Sequence, residues 1–351
     1  MKAITVEPRK PGSVRFEEVP EPDARDGSVL VQAVAVGVCG TDAEIVAGAF
    51  GAPPPGKTRL VLGHESLGRV LDPGPASSLA AGDLVAGIVR RPDPVPCPNC
   101  AVGEWDMCRN LLYTERGIQQ IDGFMSERWR IEPEYALRID GSLGLLGVLL
   151  EPLAVVVKAW EHVLAIGERA RFEPESVLVT GAGPIGMLAA LLGKQRGLDV
   201  HVLDRVLSGP KPEIVRALGA TYHASIDALG FEPDVVIECT GVGQVIADAV
   251  QAVAAGGVVC LVGVGHGGPA GLPTADVAAS MVLRNKAVFG SVNANRRHWQ
   301  EAGEALGRAE RPWLERLVTR REHPADFARA LERGPDDIKV VVEFLGFNDA
   351  T

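Results

Sequence analysis

The sequence predicts an α/β chain of two domains, a barrel-like all-β domain and a doubly wound parallel sheet covered on both faces by helices. Three observations lead there. At 351 residues the chain exceeds one ordinary core, since domains run to ~100–200 residues. Up to about residue 150, Gly and Pro recur between short alternating runs such as "SVLVQAVAVGV" at 28–38 and "ESLGRVLDPG" at 65–74, the pattern of half-buried strands joined by turns. From 176 onward apolar runs alternate with helical stretches, which implies parallel strands with helical crossovers.

Taken in order, the N-terminal "MKAITVEP" alternates at once and has no basic region followed by an apolar core and cleavage site; a cytoplasmic protein is expected. The segment "PLAVVVKAWEHVLAIG" at 152–167 has helical spacing, with Val156, Trp160, Val163 and Leu164 on one face and Lys158, Glu161 and His162 elsewhere. Then "SVLVTG" precedes a helix at 186–196, "DVHVLD" one at 212–218, "PDVVIECTG" one at 243–255, "GGVVCLVGVG" one at 275–284, and "AVFGSV" closes the series. A helix in "RHWQEAGEALGRA" and a strand in "IKVVVEFLG" follow. The boundaries expected are 1–152 with 293–351 for the β domain, including a cysteine lobe at about 93–108, and 153–292 for the parallel sheet.

Composition narrows the partners. Apolar residues are 46% and charged residues 23%. The most apolar stretch, "LGLLGVLLEPLAVVV", carries Glu151 and Pro152 in its middle, so no membrane span is expected. Net charge is −10 with a pI near 5.3, and no Lys/Arg block exists to follow a phosphate backbone, which argues against nucleic acid. Small molecules are the expected partners. Of six cysteines, Cys97, Cys100 and Cys108 cluster, which in a cytosolic chain favours metal over disulfide; Cys239 and Cys260 lie in apolar runs and read as small core residues.

Two constellations carry chemistry. In "SVLVTGAGPIGMLAALLGKQRG" the turn Gly181-x-Gly183-x-x-Gly186 sits between the strand and helix it must join, which makes a dinucleotide site the expected reading. Gly181 permits the turn, Gly183 admits a pyrophosphate, Gly186 lets the helix pack on the strand, and Pro184 and Ile185 open the helix whose N–H groups meet the anion. Asp204 ends the second strand roughly 20 residues on, where a carboxylate accepts the ribose hydroxyls of NAD. Arg205 and Lys211 beside it leave NADP open, with NAD favoured; Thr240, after the strand in "PDVVIEC", joins the cofactor set. The second constellation is Cys39 in "GVCGTD" with His64 and Glu65 in "LGHES", a thiolate, imidazole and carboxylate mixture that suits a catalytic Zn2+ with an open position. Glu151 belongs with it, because an unpaired carboxylate in an apolar run is costly and a metal removes that cost. Cys39, His64 and Glu151 are expected as ligands, and Glu65 as a fourth that alternates with water or substrate.

The order of "GVCGTD", "GHE", cysteine lobe, "EPLA" at 151–154 and "GAGPIG" resembles the zinc-dependent medium-chain alcohol dehydrogenases over nearly the whole chain. With Glu115-x-Gly117-Ile118, "DGFM" at 122–125 and "NKAVFGSVN" at 285–293, it resembles their microbial and archaeal glucose dehydrogenases. The resemblance implies a GroES-like catalytic domain and a Rossmann domain, and oxidation of an aldose at C1 to the lactone with NAD(P)+ and zinc. It implies that Thr41 relays the hydroxyl proton, Asp42 orients a ligand, Glu115 binds sugar hydroxyls, and Asn293 lies between nicotinamide and substrate. It also implies a homodimer or homotetramer, through the strand near 286–292. Val155 and Leu283 stand where some members carry a sugar-binding Asp and a His, which leaves the choice of aldose open. A polyol or secondary-alcohol dehydrogenase, and an NAD(H)-binding sensor or scaffold without catalysis, are the alternatives. The lobe of that family has four thiolates around a structural zinc; here Pro94 occupies the first position. A zinc held by Cys97, Cys100, Cys108 and Asp93 is expected, with Asp106 the weaker fourth ligand and a metal-free lobe the competing reading.

Overall fold

The computed structural model describes residues 1–75, 77–265 and 274–345. The chain divides into two compact units, one made of Met1–Glu151, Ala294–Arg311 and Val318–Thr351, the other of Pro152–Asn293 and Pro312–Leu317. The short return Pro312–Leu317 lies inside a stretch that the sequence reading gave whole to the β domain. Apolar anchoring explains it: Leu314 and Leu317 are fully buried, and the Trp313 indole N–H donates to the Ile214 carbonyl at 2.9 Å.

The first unit is built on a seven-stranded sheet. Its central strand, Val29–Val38, pairs antiparallel with Glu65–Asp72 on one side and Lys339–Glu343 on the other. The alternation read at 28–38 places Val29, Val31, Ala33 and Val36 in a core with Ile4, Leu62, Val85, Phe124 and Trp129. Glu65 opposes Gly37, and Val340 opposes Val38, so the sequence-distant ends of three strands arrive at one place. Just beyond it the chain turns into the helix Gly40–Val46, which no periodic signal had marked.

The second unit is a six-stranded parallel sheet in the order Thr221–His223, Asp199–Leu203, Ser176–Thr180, Val235–Glu238, Val258–Leu261, Ala287–Gly290. The registers Thr180↔Leu203, Thr180↔Glu238, Glu238↔Leu261 and Leu261↔Gly290 align the carboxyl ends, the edge where such sheets bind ligands. The strand Thr221–His223 is new relative to the sequence reading; three residues are too few to show a period. The helix Leu150–Gly167 buries Val156, Trp160 and Val163 as expected, but Leu164 is 38% exposed and Lys158 only 1% exposed. The Lys158 ammonium donates to the Val292 carbonyl at 3.0 Å, which offsets its desolvation. By length and composition the run Gly141–Gly167 could cross a membrane, yet 83% of its apolar window is buried in the protein, as in a core helix.

Candidate active site

Strand pairing brings the first constellation together. Cys39 follows the central strand and caps the helix Gly40–Val46 in an extended conformation, and its N–H donates to the Asp42 carboxylate at 2.9 Å. His64 and Glu65 enter the neighbouring strand opposite Gly37. Ligand atoms of Cys39, His64 and Glu65 all lie within 4.8 Å of one another. Behind His64, Nδ1 lies 3.5 Å from Asp42 Oδ1, and both atoms are buried without a hydrogen-bond partner. Burial acts to lower the His64 pKa, but the charge of Asp42 and the contact with Cys39 outweigh it and raise the pKa well above the ordinary histidine value.

Glu65, 1% exposed, has a partner that the sequence did not disclose. The ammonium of Lys339, equally buried, lies 2.7 Å and 2.5 Å from its two carboxylate oxygens. Gly37 leaves room for this pair, since a Cβ there would stand 2.0 Å from Glu65 Oε2. Glu151, in the first turn of Leu150–Gly167, stays outside the 4.8 Å group. Its pKa is raised to about 7, chiefly by burial and then by the charges of Glu65 and Glu115, with His64 and Lys339 opposing. A carboxyl so placed gains from a nearby cation. The sulfur, nitrogen and oxygen donors, with a carboxylate behind the imidazole, fit a zinc ion bound through an oriented histidine. Thr41 Oγ1 lies 3.9 Å from the Cys39 thiol. Glu115 pairs with Arg90 at 3.0 Å. Asn293 adopts a positive φ of 61°, an uncommon conformation that asparagine tolerates.

At the carboxyl edge of the parallel sheet, Gly181 has φ +90°, and a Cβ on Gly186 would stand 1.7 Å from the Gly181 carbonyl oxygen. Only glycine fits at 186. Gly183 caps the helix Pro184–Gln195 and offers no side-chain acceptor to its first N–H groups, so Ile185 and its neighbours can present those donors to an anion. The Asp204 carboxylate accepts the Ala182 N–H at 2.7 Å and the Val206 N–H at 3.0 Å, which pins it beside the turn. Arg205 is exposed and Lys211 half-buried. Thr240 is positioned by Glu238, a fully buried carboxylate absent from the sequence reading. Glu238 accepts the Thr180 hydroxyl at 3.1 Å, the Thr240 N–H at 2.7 Å and hydroxyl, and the Gly241 N–H at 3.0 Å. An acid ending a wholly apolar strand, as in "DVVIECTG", was the available signal. Of the two positions where the sequence departs from the family resembled, Val155 is half-buried and Leu283 is 80% exposed.

In the lobe, the Cys97, Cys100 and Cys108 sulfurs lie within 4.8 Å of one another and are all buried. N–H donation from Arg109 and Cys100 lowers the Cys97 thiol to about 6, and burial pushes Cys100 up to about 11. Asp93, expected as their fourth partner, does not join them. Its carboxylate accepts the Val95 N–H at 2.8 Å and the Asn110 side-chain amide at 2.7 Å, and it lies outside the group formed by the three sulfurs. Asp106 accepts from the Asn295 amide at 2.9 Å.

Known proteins share this architecture. The family description "Alcohol dehydrogenase GroES-like domain" matches residues 25–141 and "Glucose dehydrogenase C-terminus" matches 144–344. A glucose 1-dehydrogenase of Methanocella arvoryzae is 37% identical over 98% of this chain and 99% of that protein. One from Halobacterium salinarum is 40% identical over 94% of this chain and 96% of its own. The glucose dehydrogenase of Haloferax mediterranei, solved in complex with NADP, Zn and gluconolactone, superposes with a TM-score of 0.90 at 34% identity, covering 99% of this chain and 100% of that one. With matches of this extent across both units, the chain belongs to the glucose 1-dehydrogenase family of the zinc-dependent medium-chain alcohol dehydrogenases.

Proposed function

We propose that the protein oxidises an aldose of the glucose type at C1 to the aldonolactone, with zinc as Lewis acid and NAD(P)+ as hydride acceptor. The observation that carries this is the convergence of Cys39, His64 and Glu65 within 4.8 Å in a chain of the glucose 1-dehydrogenase family. A zinc ion bound there would supply a Lewis acid that polarises an alcohol oxygen and lowers its pKa, and a bound nicotinamide would supply the hydride acceptor. Cys39, His64 and Glu151 would hold the metal, Asp42 would orient the imidazole, and Glu65, paired with Lys339, would be a fourth ligand alternating with water or substrate. Thr41 passes the hydroxyl proton on. Glu115 and Asn293 bind the sugar. The turn 181–186 and Thr240 bind the coenzyme, and the pinned Asp204 favours NAD.

Zinc-loaded protein assayed for NAD(P)+ reduction on glucose, galactose, xylose and sorbitol tests the reading. Turnover on an aldose, lost on chelation, is expected. Turnover on sorbitol alone would assign a polyol dehydrogenase instead, and coenzyme binding without turnover a sensor. Metal content separates the two readings of the lobe: two zinc ions per chain if the three thiolates hold one, a single zinc if they do not. We further propose a cytoplasmic homo-oligomer paired through Ala287–Gly290, the edge strand of its sheet among the described residues and of the kind that pairs with another chain; light scattering of the purified protein would give a dimer or tetramer mass.

A further inference from the structure

Arg90 and Arg91 form a two-residue strand paired with Thr114–Arg116, in the register Arg90↔Glu115 and Arg91↔Thr114. Both residues are buried, at 3% and 7% exposure, and each guanidinium carbon lies over a tyrosine ring, that of Arg90 3.6 Å from the Tyr113 centroid and that of Arg91 3.7 Å from the Tyr135 centroid. Each also pairs with a glutamate, Arg90 with Glu115 at 3.0 Å and Arg91 with Glu132 at 2.7 Å. The two differ in where those glutamates lead. Glu115 is the glutamate assigned to the sugar, whereas Glu132 is also paired with Arg116 at 3.6 Å.

Arg90 has a third tie. Its Nη1–H donates to the Asp106 carbonyl at 3.1 Å, between Trp105 and Cys108 in the lobe, and Tyr113 packs against the Cys97, Cys100 and Cys108 cluster. A buried guanidinium clamped by a lobe carbonyl, a lobe-packed ring and one carboxylate has little freedom left, and its Nε and Nη2 both reach Glu115 Oε1 at 3.0 Å, which holds that oxygen in place. We propose that Arg90 is the positioning residue of the sugar subsite: it aims Glu115 at the substrate hydroxyls and makes the cysteine lobe a support for sugar affinity. This rests on the assignment of Glu115 to the sugar.

The test uses purified, zinc-loaded full-length protein with Arg90→Lys, Arg91→Lys and Glu115→Gln, reading KM for glucose, KM for the coenzyme, kcat and zinc content. Lysine keeps the charge but neither the fork nor the stacking, so Arg90→Lys should raise the glucose KM about tenfold while coenzyme KM and zinc content hold. Arg91→Lys, with the same kind of burial and stacking lost, should leave the glucose KM within about twofold of the parent. In Arg90→Lys/Glu115→Gln the two effects should not add, because the arginine acts only through the carboxylate. If Glu115→Gln leaves the glucose KM unchanged, the assignment of Glu115 fails. If Glu115→Gln raises it and Arg90→Lys does not, the positioning role fails. It fails equally if Arg90→Lys shifts both KM values alike, or if Arg91→Lys raises the glucose KM as much.

Discussion

Asp42 backs the candidate metal centre. Its carboxylate takes the Cys39 N–H at 2.9 Å and faces His64 Nδ1 at 3.5 Å, so it settles both where the thiol sits and which imidazole nitrogen points outward. Asp42→Asn keeps the size and removes the charge. Zinc affinity is expected to fall about 10–100-fold, read by competition with a chromogenic chelator; unchanged affinity would remove Asp42 from the centre. The sequence pointed to Cys39, His64 and Glu65 by residue type and order, and their ligand atoms lie within 4.8 Å of one another. It was silent on Lys339, which meets Glu65 across 274 residues of chain, since only strand pairing brings them together. Nor did it show that the Asp93 carboxylate accepts the Val95 N–H and the Asn110 side-chain amide, because closeness to Cys97 in sequence carries no record of those donors.

Among elements, the strand, turn and helix over 176–195 were the most legible part of the chain. Strand, glycine spacing and helix reinforce one another there, whereas Thr221–His223 was too short to signal and Leu164 was turned outward by packing that a helical wheel does not contain. Asp204 is held to this turn through Ala182. Asp204→Ala should remove a ribose acceptor and a repulsive charge together, raising KM for NAD about tenfold or more while lowering that for NADP. A variant whose NAD to NADP preference equals the parent's would show that Asp204 does not read the ribose.

For the whole molecule, two domains of different class were legible from the change in periodicity near Glu151, because periods of about 2 and 3.6 leave separate marks; the excursion Pro312–Leu317 was not, being decided by where three apolar side chains find a core. Acid sensitivity follows from half-buried pairs such as Arg91–Glu132. Burial tends to raise the Glu132 pKa, but hydrogen bonds from Arg91 and the charges of Arg91 and Arg116 leave it lowered. A lowered carboxylate pKa stabilises the fold above the unfolded value of ~4.3, and the gain is lost as pH falls through the folded value. Glu132→Gln should therefore cost about 1 kcal/mol at pH 7, a figure kept small because Glu132 is partly solvent-screened, and the difference in thermal midpoint from the parent should close below about pH 4; a constant difference down to pH 3 would contradict this. The central claim, hydride leaving C1 of an aldose, is met most directly with glucose carrying deuterium at C1. The account requires that deuterium appear in the reduced nicotinamide, with release of the lactone and dependence on zinc. Reduced coenzyme free of deuterium, with the label kept on the sugar, would contradict it.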